Sequence, residues 1–458
     1  MSTPPDNRSS IERFVPGILV AACLLLATPR AVDAHLAEWV QDPVTLELHL
    51  LAEAGYFHAE NTGFGAGRAR DDKERLDWVE MYALPSGELT YRLPRAGELF
   101  GGASIIGSLS RGDADLTAST FESTEYLDLE HLYVGWRSSE DWLASGSNGL
   151  ELSVGRQDLL IGDGFLIQDG NVDARDEGTA QLVARDAFAL AAIGRATYGP
   201  WHGGLFYLEA DEDHGHPSVA GVNAEWRAQR ASVGVLYLRV LDADPPFAAR
   251  DGLNTWSVRG DAHPLPSRDL RLAFEYVHQR NERRSSKVRA HAGHAEIEYQ
   301  LSWLRWTPWL RYRYAWFGGD DPDTVASEAF DPLFYGDHFE RGWGTWSQGE
   351  IVGAAYLFNS NQTVHHVHLH ADLSETVAAG AMYWHFALEQ PRSFFANSGS
   401  ARAGAFADEL DVYVDWTVTD TVSVSPVGSI AFPAAAAEHA FGDDEPILFF
   451  QLYLALAL

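Results

Sequence analysis

The sequence predicts a transmembrane antiparallel β-barrel of eighteen strands. Three observations carry that prediction. Apolar and polar residues alternate through segments of about ten residues along almost the whole chain. An export signal stands at the N-terminus, and the last ten residues, FFQLYLALAL, alternate to the end.

The export signal comes first. Arg8 and Arg13 precede an apolar run from Val15 to Ala27, and TPRAVDA follows, with Val32 and Ala34 at the small-residue positions of a cleavage site. Residues 1–34 therefore read as a signal peptide and His35 as the mature start. VAAC at 20–23 resembles a lipoprotein processing site, but the strongly apolar LLLA after Cys23 argues against that use. Cys23 is the one cysteine of the 458 residues, so disulfides and cysteine-based metal sites are excluded from the mature chain. Three basic and three acidic residues leave with the signal, and the net charge of −32 remains. That acidity argues against nucleic acid as a partner. Beyond the signal no apolar stretch reaches the roughly 20 residues of a membrane helix.

The mature chain reads as strands rich in Trp, Tyr, Val and Leu, separated by Gly, Asp, Asn, Pro and Ser clusters. HLYVGWR (131–137), GVLYLRV (234–240) and DVYVDWTV (411–418) are examples. The predicted strands are 44–53, 76–93, 98–111, 127–138, 149–157, 187–198, 201–211, 219–229, 231–241, 253–262, 269–280, 287–301, 305–317, 360–373, 377–389, 406–418, 422–432 and 446–458. Their connections alternate as an outer-membrane barrel requires, with periplasmic termini, short periplasmic turns and longer outer loops. The longest are 54–75, 158–186 and 318–359; 199–200, 374–376 and 419–421 are tight. WSQGEIVGAAYLF (346–358) is also strand-like, but counting it gives nineteen and inverts that alternation, so parity places it in an outer loop. In the closing segment Phe450, Leu452, Leu454, Leu456 and Leu458 form one apolar face, which resembles the terminal signal read by the barrel assembly machinery.

Several segments resemble the alginate export family of outer-membrane proteins. VGRQDLLIGDGF (154–165), GGDDPD (318–323), FDPLF (330–334), WGTWSQGEIVG (343–353), LFNSNQ (357–362), FADELDVYVDW (406–416) and SPVGSIAFP (425–433) occur in the expected order. The resemblance implies a monomeric eighteen-stranded porin-like barrel in the outer membrane, among outer-membrane lipids and lipopolysaccharide. It also implies an arginine-rich constriction passing a polyuronate such as alginate, or another anionic solute, by passive diffusion.

Strand parity nominates the pore lining, because an arginine facing lipid at mid-depth costs about 2–4 kcal/mol. In WLRWTPWLRYRYAWF (303–317), Arg305, Arg311 and Arg313 share the face opposite Leu304, Trp306, Leu310, Tyr312, Tyr314 and Trp316. The same rule turns Tyr133 and Arg137, Tyr237 and Arg239, Arg259, Arg271 and Arg227 inward. Arg227, Arg259 and Arg271 have acidic neighbours on their own face (Glu225, Asp261, Glu275) and suit structural ladders. Arg305, Arg311 and Arg313 have none in their strand, and free guanidinium groups bind carboxylates bidentately. Parity points Arg156 at lipid unless Gly155 forms a bulge. His366, His368 and His370 alternate on one face, a polar stripe rather than a metal site, because such ligands diverge along a strand. Asp-rich DDPD (320–323) and GDDEP (442–446) suit solvated turns or Ca²⁺. No G-x-S-x-G, HExxH or P-loop motif is present, which disfavours an enzyme. Two alternatives remain: a less selective porin whose arginines are structurally paired, and a barrel hydrolase with a dyad spread over separate strands.

Overall fold

A computed structural model describes residues 36–458 except 121–122, 140–148, 172, 174, 212–214, 246, 284–285, 337–342, 344 and 395–403. The signal peptide read at 1–34 lies outside the described residues. The strands, in chain order, are β1 (Ala37–Gln41), β2 (Val44–Glu60), β3 (Arg75–Leu93), β4 (Gly97–Gly112), β5 (Ser123–Arg137), β6 (Gly149–Gln157) and β7 (Phe188–Tyr198). Next come β8 (Trp201–Glu209), β9 (Ser218–Arg227), β10 (Ala231–Asp242), β11 (Asn254–Ala262), β12 (Leu270–Arg283) and β13 (Ser286–Gln300). The last are β14 (Trp309–Phe317), β15 (Gln362–Asp372), β16 (Val377–Leu388), β17 (Ala405–Thr419), β18 (Val422–Pro433) and β19 (Ile447–Ala457).

From β2 to β19 each strand pairs antiparallel with the next, and β19 returns to β2, with Leu448 opposite Glu60 and Ala457 opposite Leu51. The result is a closed barrel of eighteen strands, in which every edge is paired. The alternation did not single out β1. It pairs with Val44–Leu48 of β2 and so covers the stretch of β2 that extends beyond the C-terminus of β19. Leu50 and Leu458 exchange backbone hydrogen bonds where the two meet.

All eighteen barrel strands lie where the alternation places them. β2 runs on to Glu60, so the first long connection is 61–74 rather than 54–75. β14 starts at Trp309, not 305. Pro308 has no N–H to give a ladder, and Trp306 and Thr307 before it take positive φ values of 70° and 38°. The stretch 346–358 is loop, as parity required, and Gly353–Leu357 within it forms a single helical turn.

The outward face is apolar along most of the wall, with Leu132, Val134, Val235, Phe274, Ile297, Leu310 and Val412 all exposed. The inward face has two tiers. Near the tight turns it carries ion pairs. Toward the long-loop end it is apolar as well, with Phe57, Trp78, Leu236, Leu238, Val240, Trp384 and Phe449 buried. These residues pack on the loops 158–187 and 318–361, which fold into the barrel and bring in Phe165, Ile167, Leu182, Phe334, Trp346 and Ile351. Fully burying a side chain of that size is worth about 1.5–3 kcal/mol.

Candidate functional site

The lumen is shaped by how those loops are held. Glu409 of β17 is buried and points inward, and its carboxylate accepts the backbone N–H groups of Glu350 (2.6 Å), Ile351 (2.9 Å) and Val352 (2.7 Å). Glu80 of β3 accepts those of Gln181 and Leu182, both at 3.0 Å. Glu130 of β5 accepts those of Asp186 and Ala187 and the Arg185 Nε at 2.9 Å. Gln279 of β12 both donates to and accepts from the backbone of Asp331. The loops join each other through a bridge between Ile167 and Phe334, and Trp346 Nε1 donates to the Asp163 carbonyl at 2.9 Å. Asp163, Glu275 and His294, all buried, converge beneath this junction. Each inward loop is therefore pegged to the wall by charge-assisted bonds to backbone groups, the strong kind in a low-dielectric interior.

The nominated arginines divide among three places. Arg313 is 1 % exposed, lies over the Trp346 ring at 4.4 Å, and donates to the Thr345 carbonyl and to Gln348 Oε1. It is a loop anchor. Arg311 faces the lumen and is paired with Glu298 at 2.7 Å, while stacking on Trp309. Arg259 is paired with Glu225, Arg271 with Glu296 and Asp261, Arg227 with Glu225, and Arg137 with Glu98 and Glu151. Tyr133 shares the inward face with Arg137. Arg156 also turns inward: Gly155 at φ 137° starts a bulge, and the guanidinium meets Asp211 at 2.7 Å. Same-strand parity does not show these partners, because most of them come from neighbouring strands.

Two expectations are corrected in orientation and one in location. Tyr237 and Arg239 lie on the outward face of β10, opposite Trp256 and Asn254. The inward residues there are Leu236, Leu238 and Val240, because loops fill that tier and the usual contrast between the two faces is reversed. Arg305 lies in the 301–308 turn, exposed, with its guanidinium 4.9 Å from the Trp306 ring. It belongs to no lumen stripe. Arg305→Ala is expected to leave unfolding within about 0.5 kcal/mol of the parent, as for surface sites generally, and to leave ion selectivity unchanged. Chemical denaturation and bilayer recordings check both.

A central cavity of about 1960 Å³ remains between loops and wall. Of the ten nominated residues, Arg311 borders it. Arg68 and Arg250 join it from loops, the first held by Asp71 at 2.7 Å and the second by Asp331 at 2.8 Å. Against these three arginines stand eleven carboxylates. Asp372, Glu375, Asp415 and Asp420 lie toward the tight-turn mouth, and Asp115, Asp169, Asp173, Asp186 and Glu350 come from the loops; Glu53 and Glu298 complete the set. Burial pushes Asp169 up to about 8 and raises Asp173 and Asp186 well above the ordinary carboxylate range. Asp115 is held below it by hydrogen bonds from Thr117, Thr120 and Ser119. Even with those three set aside, carboxyl groups outnumber the arginines in the lining. The walls between them are aromatic, with Trp309, Trp343, Tyr335, Tyr413 and Tyr453. The loop residues had no periodic signal in the sequence, and only the fold shows which of them point into the lumen.

The histidine stripe faces inward as expected. His366 stacks on Trp384 at 3.6 Å, and His368 and His370 share the Tyr413 hydroxyl at 2.8 Å each. In DDPD, Asp321 accepts the Asp323 N–H and Asp323 meets Arg392, so these side chains serve a turn and an ion pair. Ser104 Oγ, His131 and Asp158 form a relay of 2.7 and 2.8 Å, the order found in hydrolases. Ser104 is 3 % exposed, however, and its oxygen also takes the His131 N–H, so the relay reads as a brace across the β5 bulge.

A closed eighteen-stranded barrel with loops folded into its lumen is the architecture of porins. Solved structures matching 90 % of this chain include three from Pseudomonas aeruginosa. OccK5 (OpdH) matches with a TM-score of 0.56 and 9 % identity over 98 % of that chain. OpdK with vanillate matches at 0.55 and 11 % over 98 %, and OprD at 0.53 and 10 % over 95 %. At such identities the shared property is the fold. No family model and no curated protein matches the chain. The resemblance to the alginate export family thus gains no support from a family model, while the closed eighteen-stranded barrel it implied is present.

Proposed function

We propose that this protein is an outer-membrane channel that conducts small hydrophilic solutes, with preference for those carrying positive charge. The observation that carries the preference is the lumen lining, in which carboxylates outnumber arginines and each arginine is ion-paired. A polyuronate needs free guanidinium groups along its path, and the arginines nominated for that task are paired, pegged into loops or outside the lumen. The geometry therefore favours the porin with structurally paired arginines over the polyanion exporter. The barrel fold shared with porins and the apolar outward face support an outer-membrane location. The tight-turn end, where Leu36 and Leu458 lie, would then face the periplasm. Solutes move down their gradient, held briefly by carboxylates and aromatic rings and released because each contact is weak. Single-channel recording of the purified protein across a KCl gradient tests this. A reversal potential of cation-selective sign, with no block by oligouronates, is expected. Anion selectivity with oligouronate block would restore the polyuronate reading.

A further inference from the structure

We propose that the outward face of β10 to β13 at the long-loop rim is a binding site for a phosphorylated glycolipid of the surrounding leaflet. The inference rests on the membrane placement above but not on the identity of the solute. Register aligns Arg239, Asn254, Arg280 and Arg289 in one row across four adjacent strands. All four side chains point out of the barrel. Three inter-strand steps of about 4.8 Å make the row roughly 14 Å long, the width of a headgroup with more than one phosphate. Lys287 stands one step nearer the rim, opposite Glu282. Glu282 is the carboxylate in contact with the row, 2.8 Å from Arg280 and 3.5 Å from Arg289. Arg239 has no ion-pair partner among the described residues. The patch is thus cationic on a chain of net charge −32.

What lies below the row argues for a lipid rather than a soluble anion. One step toward mid-membrane, rings form a continuous band: Tyr237 on Trp256, Trp256 stacked on His278 (5.6 Å), His278 on His291 (4.6 Å), and His291 parallel to Trp316. Below that come Val235, Val258 and Tyr276, then Val233 and Phe274, all exposed. Charge, then amphipathic rings, then aliphatic wall is the layering of a headgroup, an interface and acyl chains. Arginine suits such a site because its planar donors engage phosphate oxygens in pairs. Asn254 fits between, since its amide already takes the Tyr237 hydroxyl and bridges β11 to β12.

The test is native mass spectrometry of the detergent-solubilised protein with three probes: bisphosphorylated lipid A, its monophosphorylated form and phosphatidylethanolamine. The parent protein is expected to retain the bisphosphorylated lipid at least tenfold better than phosphatidylethanolamine, with the monophosphorylated form between them. Arg239→Gln/Arg280→Gln/Arg289→Gln should lose that preference, while the corresponding triple lysine variant should keep most of it. Single-channel conductance of the glutamine variant should match the parent, showing that the barrel is folded and separating this site from the pore. Equal retention by the parent and glutamine variants, or no preference for phosphate over phosphatidylethanolamine, would overturn the proposal.

Discussion

Glu409→Ala is expected to raise single-channel conductance at least twofold and to lower the unfolding free energy by at least about 3 kcal/mol. The second figure follows from orphaning the N–H groups of Glu350, Ile351 and Val352 in a buried position, where each lost partner costs about 1–3 kcal/mol. The first follows from where those N–H groups lie. They begin the turn that packs Ile351 and Val352 against the wall and holds Glu350 at the cavity. Glu409→Gln keeps one acceptor oxygen and should show a smaller effect of the same sign. Adding Arg313→Ala removes another peg of the same loop, and its conductance should exceed that of either single variant. Bilayer recordings and urea unfolding read the two effects separately. Lower stability with unchanged conductance would mean that the 318–361 loop does not set the width of the path.

Neutralising Asp372, Glu375 and Asp420 together, as Asn, Gln and Asn, is expected to reduce the cation-to-anion permeability ratio roughly three- to tenfold. These three carboxylates are exposed at the tight-turn mouth and pin no loop, so stability should hardly change. A potential of one to a few kT at the mouth of a low-dielectric channel is enough for that ratio. The effect should shrink in about 1 M salt, where screening acts within about 3 Å. Alkaline pH should act in the opposite sense to the substitutions. Asp169 is neutral below about 8 and charged above it, so selectivity for cations should rise between pH 7 and 9. The same raised carboxyl stabilises the folded loop most at low pH and loses that contribution as pH climbs through about 8. A permeability ratio unmoved by the triple substitution would place the selectivity filter deeper, at the loops.

The run WLRWTPWLRYRYAWF shows how far parity reaches. Arg311 and Arg313 face inward and Leu310, Tyr312 and Tyr314 outward, as two-residue periodicity demands. Parity carries Arg305 across Pro308, a residue that cannot continue a ladder, and the turn there cancels the phase. Tyr237 and Arg239 depart from parity for another reason. Parity puts the polar face in the lumen, but near the loops β10 is inverted, with Leu236, Leu238 and Val240 packed inward and Tyr237 and Arg239 outside at the rim. Arg156 shows the converse, because Gly155 announced the bulge that turned it inward.

By itself the sequence determined the architecture: eighteen strands, their order, the end that carries the long loops, and the segment 346–358 as loop. Those properties are local or arithmetical, set by the pleat of a strand and by an even count. Only the tertiary structure decided the chemistry of the lumen. Whether an arginine is free depends on carboxylates one strand away, such as Glu298 beside Arg311, or on a loop 32 residues along, such as Thr345 beside Arg313. Part of the lumen's carboxyl lining, Asp115, Asp169, Asp173, Asp186 and Glu350, comes from loop residues that no periodicity locates, brought inward because Glu80, Glu130 and Glu409 hold the loops by their backbones.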